Sequence, residues 1–173
     1  MAALTVVSLV QSLLAVTFWL VPFAGARRGA AAQRAAEGEV VRQGFPAAVL
    51  TGRGVDFGAS TASLVLAASI GVVFAALGAL NLAGADLGRT LTWIAQPIIL
   101  VLGLIVMPGE IWTTRYVEAG FRKSGDPAVR GLDVGSMVEA ARRAYPAWLH
   151  LAIIARFALA TAGSTVIIVL LLA

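Results

Sequence analysis

Apolar residues in this chain gather into four long runs, and charge, glycine and proline collect between them. The runs cover about 4–23 (LTVVSLVQSLLAVTFWLVPF), 63–84 (SLVLAASIGVVFAALGALNLAG), 90–107 (TLTWIAQPIILVLGLIVM) and a stretch within 147–173. A helix of about 20 residues crosses the ~30 Å hydrocarbon core of a bilayer, so each run is long enough to span it. Each must be helical, because an open strand in lipid would leave its backbone groups unpaired. The pattern predicts an all-α integral membrane protein with four transmembrane helices.

Composition agrees. The chain has 173 residues, 60% of them hydrophobic and 13% charged, with a mean hydropathy of +0.90. Soluble domains carry about a quarter charged residues, so too little polar surface is present to coat a water-soluble globule. Cysteine is absent, which excludes disulfides, thiolate metal sites and cysteine nucleophiles. Ala24-Gly25-Ala26 looks like a signal-peptide cleavage site, but no basic segment precedes the apolar run. The first run therefore reads as a retained helix.

Charge gives the orientation. Arg27, Arg28, Arg34, Arg42 and Arg53 lie between the first two runs, and Arg115, Arg122, Lys123, Arg130, Arg142 and Arg143 between the last two. The short middle connection has Arg89 balanced by Asp86. Basic residues are retained on the cytoplasmic side, which places both long loops inside and both termini outside the plasma (inner) membrane. Phe18, Trp19, Phe23, Trp112, Tyr116, Tyr145 and Trp148 fall at the inner ends of the runs, and Trp93 at an outer one. Arg34/Glu37, Glu39/Arg42, Glu118/Arg122 and Glu139/Arg143 have helical ion-pair spacing, so helical cytoplasmic loops are expected, lying against anionic headgroups. With its basic side chains close to the bilayer, the net charge of +4 does not point to nucleic acid.

The two halves correspond. Gln11 and Pro22 match Gln96 and Pro108; Gly44-Phe45-Pro46-Ala47 matches Gly125-Asp126-Pro127-Ala128; RGVDFG at 53–58 matches RGLDVG at 130–135. The expectation is two parallel-repeat helical hairpins, 1–84 (with loop 24–62) and 85–173 (with segment 108–146), N-out and C-out. The second half has about a dozen extra residues before Trp148, read as a short helix that ends where Pro146 redirects the chain. In the RG-D-G strings, Asp56 and Asp133 are placed to cap the helices after them, and Arg53 and Arg130 to meet lipid phosphate or the neighbouring carboxylate. The Asp56-Phe57-Gly58 triplet has no kinase context around it.

Few residues point to chemistry. His150, the only histidine, is a weak candidate cofactor ligand and reads better as an interfacial side chain. Arg156 stands within the fourth run, close enough to its inner boundary to snorkel to phosphates. Glu110 comes just after Pro108 at the inner end of the third. Gln11 and Gln96 are polar residues within spans, able to hydrogen-bond across the repeat interface. Ala67, Gly71, Ala75 and Ala79 form a small-residue ridge for helix packing, and Pro97 should bend the third span. No metal cluster, nucleophile–base pair or cofactor motif is present in the sequence, so no enzyme activity or cofactor is expected. The expected function is a non-catalytic accessory or structural subunit, or assembly factor, of a larger membrane complex. The alternative is a small oligomeric transporter or channel using Gln11, Gln96, Glu110 and Arg156, and a weaker one is a cofactor-holding anchor.

Overall fold

The computed structural model describes residues 2–124 and 131–172, and these are predominantly helical, with no strand among them. The elements are α1 (Ala2–Arg42), α2 (Ala48–Thr51), α3 (Thr61–Leu82), α4 (Asp86–Ile105), α5 (Pro108–Ile111), α6 (Thr113–Ser124), α7 (Val134–Arg143), α8 (Trp148–Ala158), a π-turn (Leu159–Gly163) and α9 (Ser164–Leu172). Helices α1, α3, α4 and the continuous run Trp148–Leu172 are long and apolar enough to cross a membrane. In α3 only 22% of the most apolar window is buried inside the molecule. Leu66, Val72, Leu82, Ile94 and Leu151 all point outward. Water would penalise so much exposed apolar surface, and lipid does not.

The four long helices pack around Leu14, Ala15, Phe18, Phe74, Leu77, Ile99, Met107 and Ala160, with a smaller cluster of Val7, Ile167 and Leu171 at the end that carries Arg89, opposite the arginine-rich segments. The face that α3 buries is Gly71, Phe74, Leu77, Gly78 and Asn81, and Gly71 lies directly under the Trp19 indole. This corrects the expected ridge: Ala67 and Ala75 are half-buried and Ala79 is exposed. A four-residue step turns a helix by about 400°, so such a row drifts by roughly 40° per step and leaves the contact. Alternating steps of three and four hold it.

At the basic end the chain builds a second core. Helix α1 does not stop at Pro22 but continues to Arg42, through an alanine-rich segment with high helix propensity. There Ala32, Ala36 and Val40 are fully buried and meet Val49 and Leu50 of α2, Phe121 of α6, and Val134, Met137, Val138 and Ala141 of α7. The lobe thus draws on both halves of the sequence. Gln43 ties α1 to α7, donating to Ser136 Oγ at 2.8 Å and accepting from the Asp133 N–H at 2.7 Å. The loop before α3 lies so close along α1 that a Cβ on Gly29 would come within 2.6 Å of Gly58 Cα. The Tyr145 hydroxyl fastens that loop by donating to the Phe57 carbonyl.

The two RG-D-G strings share local conformation but lead into different structure. Gly54 and Gly131 both have left-handed φ, +66° and +95°. Val55 and Leu132 both pack on the lobe core. Asp133 accepts from the Ser136 N–H at 3.0 Å and caps α7. Asp56 instead closes a tight turn onto the Gly58 N–H at 2.6 Å, and Ser60 caps α3 by accepting from the Ser63 N–H at 3.1 Å. The expectation of a cap at Asp56 is therefore corrected: the chain runs on through Ser60 before α3 begins, which puts the helix beyond the reach of Asp56. Arg53 bonds the Val49 carbonyl at 3.3 Å and lies over the Phe121 ring. Arg130 and the Gly125–Ala128 match lie outside the described residues.

Two measurements test the lobe. Met137→Ala removes a fully buried side chain and should cost about 2–5 kcal/mol, read as lost hydrogen-exchange protection of α7 amides. Hydrogen bonds from Arg142 and then Arg143 lower the Glu139 pKa from 4.5 to about 2. Because the folded-state value lies below the ordinary one, this contact stabilises α7 above about pH 4.5 and is lost as pH falls towards 2. The carboxyl carbon of Glu139 should titrate near 2 by NMR, and Arg142→Ala should move its midpoint up.

Candidate functional site

Eight polar or charged residues are buried among the described residues, and five of them form hydrogen bonds between helices towards the end opposite the arginine-rich lobe. Gln11 of α1 donates to Thr92 Oγ1 of α4 at 3.0 Å and accepts from Asn81 Nδ2 of α3 at 2.9 Å. Asn81 Nδ2 also reaches Thr92 Oγ1 at 2.8 Å and the Leu77 carbonyl at 3.0 Å, while Thr92 donates to the Gly88 carbonyl at 2.7 Å. One turn further along α4, Gln96 donates to Ser164 Oγ of α9 at 2.8 Å. Gln11, Thr92, Gln96 and Ser164 are 0% exposed and Asn81 is 1% exposed. All four long helices thus contribute a polar side chain to one region. Gln11 and Gln96 do not bond to each other across the two halves: Thr92 and Ser164 lie nearer on the facing helices and take that place.

A charged pair occupies the other end. Arg156, 4% exposed, forms an ion pair with Glu110 and lies 5.3 Å from the centroid of the Phe18 ring. Its Nε has no hydrogen-bond partner. This corrects the snorkelling expectation. The third span breaks after Ile105, and Pro108 starts α5, which brings the partly exposed Glu110 carboxylate onto the buried guanidinium.

The π-turn explains how one helix serves both regions. Arg156, Ala160 and Ser164 are all buried at four-residue spacing. Eight residues of α-helix turn by about 800°, roughly 80° past alignment. A π-turn accommodates an extra residue without an extra rotational step. That brings Arg156 and Ser164 onto one face, and Ala160 between them closes on Gly103, whose added Cβ would lie 3.1 Å from the Ala160 Cβ.

The remaining candidates stay apart. His150 is exposed at the start of α8, away from the Gln11–Ser164 cluster. No three of His, Cys, Asp and Glu converge on a possible metal position among the described residues. Asn81, Thr92 and Ser164 are the interhelical partners that sequence reasoning missed. The available signal was the four-residue spacing of Thr92 and Gln96 on one helix face. Chemically, the arrangement provides interhelical hydrogen bonds and one ion pair, with no nucleophile beside a base among these residues.

The described residues form an all-helical fold with four helices long and apolar enough to cross a membrane, the features of a multi-pass membrane protein. No family model, curated protein or solved structure matches it.

The ion pair makes an asymmetric prediction. The Glu110 side chain keeps 42% of its exposure and the Arg156 side chain 5%. Removing the acid strands a buried cation, whereas removing the base leaves a carboxylate that water still reaches. Glu110→Leu should therefore cost more than Arg156→Leu, about 3 kcal/mol, in denaturant unfolding of the detergent-solubilised protein. The double variant Glu110→Leu/Arg156→Leu should recover much of that loss.

Proposed function

We propose that this chain is a non-catalytic structural or accessory subunit, or an assembly factor, of a larger complex in the inner membrane. The observation carrying this reading is that Gln11 and Gln96, the polar residues best placed to handle a solute, are fully buried and hydrogen-bonded to neighbouring helices. Paired in this way, they act as interhelical ties worth about 1 kcal/mol each. A small transporter would need them facing an aqueous cavity, so their closure weighs against that alternative. A cofactor anchor would rest on His150 alone, an exposed side chain at the start of α8.

In this reading the arginine-rich lobe faces the cytoplasm and both termini face out, because basic segments are retained inside. Arg27 stacks on Phe23 at 4.5 Å, and Trp112, Tyr116 and Trp148 are exposed near the same end, which suits a headgroup layer containing anionic lipid. The two hairpins descend from one duplicated unit. The shared left-handed glycines and the matched Val55 and Leu132 contacts support that descent. The lobe, built from both halves, supplies a folded cytoplasmic surface for other subunits.

Purification in mild detergent and then native mass spectrometry tests the proposal. The expected result is a stoichiometric complex with other membrane subunits, without visible absorbance. Recovery of only this chain, as a monomer or homo-oligomer, overturns it.

A further inference from the structure

The polar cluster in the bundle is incompletely satisfied by protein. Asn81 Oδ1 and Gln96 Oε1 each have less than 1 Å² of exposed surface and no hydrogen-bond partner. Exchanging the amide atoms does not remove the deficit. Gln96 has one protein partner, the Ser164 hydroxyl, so one end of its amide is orphaned in either orientation. The Leu77 carbonyl at 3.0 Å can only accept, so an amide oxygen facing it would be repelled and the Asn81 nitrogen stays where it stands. That nitrogen already serves three acceptors with two hydrogens.

An orphaned buried acceptor costs on the order of 1–3 kcal/mol, and two within one apolar bundle call for a partner. The partner has to satisfy the amide oxygens while tolerating the N–H groups of the same two amides. A cation meets only the first requirement, and no carboxylate in the cluster would offset its charge. Water meets both, and buried waters characteristically bond about three otherwise unsatisfied groups. On the α9 side the Gln96 amide meets only the short Ser164 side chain, whose hydroxyl is its single protein partner.

We propose that the four-helix bundle holds ordered water at the Asn81 and Gln96 amides, as a constitutive part of the contacts of α4 with α3 and with α9. The site completes the hydrogen bonding of the interhelical ties and does not depend on the subunit role proposed above.

A structure of the full chain in lipid nanodiscs, at a resolution that shows ordered solvent, tests this directly. The expected result is density within hydrogen-bond distance of both amides, unchanged when sodium is replaced by potassium or choline. Two outcomes overturn the proposal: both amides paired to protein with no density between, or density that appears only with one cation. Gln96→Met gives an independent reading of opposite sign for the two cases. If the amide is dry, the substitution removes an unsatisfied group and raises the thermal midpoint. If it is hydrated, the substitution also breaks the hydrogen bonds of the expelled water, lowering the midpoint by several degrees, while Ser164 keeps its bond to the Leu159 carbonyl in both cases; a raised midpoint overturns the proposal.

Discussion

Helix α1 has to satisfy two different solvents along one continuous axis, and the packing of both cores depends on how it does so. Its first half presents Leu14, Ala15 and Phe18 to the bundle; its second half presents Ala32, Ala36 and Val40 to the lobe. Because no loop intervenes, the two faces cannot rotate independently. Once the bundle sets the azimuth of Phe18, it sets that of Ala32 as well. Pro22 removes one backbone donor within the helix, yet the alanine-rich turns beyond it keep the chain helical. The small side chains at Gly25, Gly29, Ala32 and Ala36 then let loop 52–60 and α7 lie directly on the α1 backbone.

Polar groups impose the second constraint. In an apolar bundle an amide is cut off from bulk water, so a hydrogen bond to a side chain on a neighbouring helix is favoured and fixes a register. Gln11, Asn81 and Thr92 fix α1, α3 and α4 against one another, and Gln96 with Ser164 fixes α9. The Arg156–Glu110 pair fixes α8 to α5 at the opposite end. Apolar packing alone would tolerate sliding of such smooth helices. These few polar contacts make one arrangement better than the alternatives, at some expense in stability.

The long apolar helices were legible in the sequence because length and hydropathy depend on composition alone. Finer features were not, because they depend on what lies opposite. Asp56 and Asp133 sit in nearly identical strings, but a helix begins immediately after Asp133 alone. The ridge through Ala79 failed because the partner helix meets α3 along a row of mixed spacing, visible only once α1 is in place. Arg156 read as a snorkelling side chain because its distance from the chain end is a sequence property, whereas the approach of Glu110 depends on the break at Pro108. Thr92 and Ser164 passed unnoticed because hydroxyl residues are common in apolar helices and commonly bond their own backbone. Gln11 and Gln96 were singled out correctly as polar residues within spans, but their partners were not readable.

The π-turn is where these constraints meet. An unbroken α-helix from Trp148 to Leu172 could satisfy Arg156 or Ser164, but not both, because their directions would differ by about 80°. Facing Arg156 to lipid would leave a guanidinium in hydrocarbon, and facing Ser164 away would deprive Gln96 of its acceptor. Inserting one residue into the helix costs backbone regularity locally and resolves both conflicts at once. Five residues of irregular helix therefore trace back to two side chains whose partners were fixed elsewhere in the fold, at Glu110 by Pro108 and at Gln96 by the α4 face that already carries Thr92. The position of Ala160 against Gly103 is consistent with this account: the residue between the two aligned side chains faces the neighbouring helix, and only small side chains on both sides allow the irregular turn to pack closely.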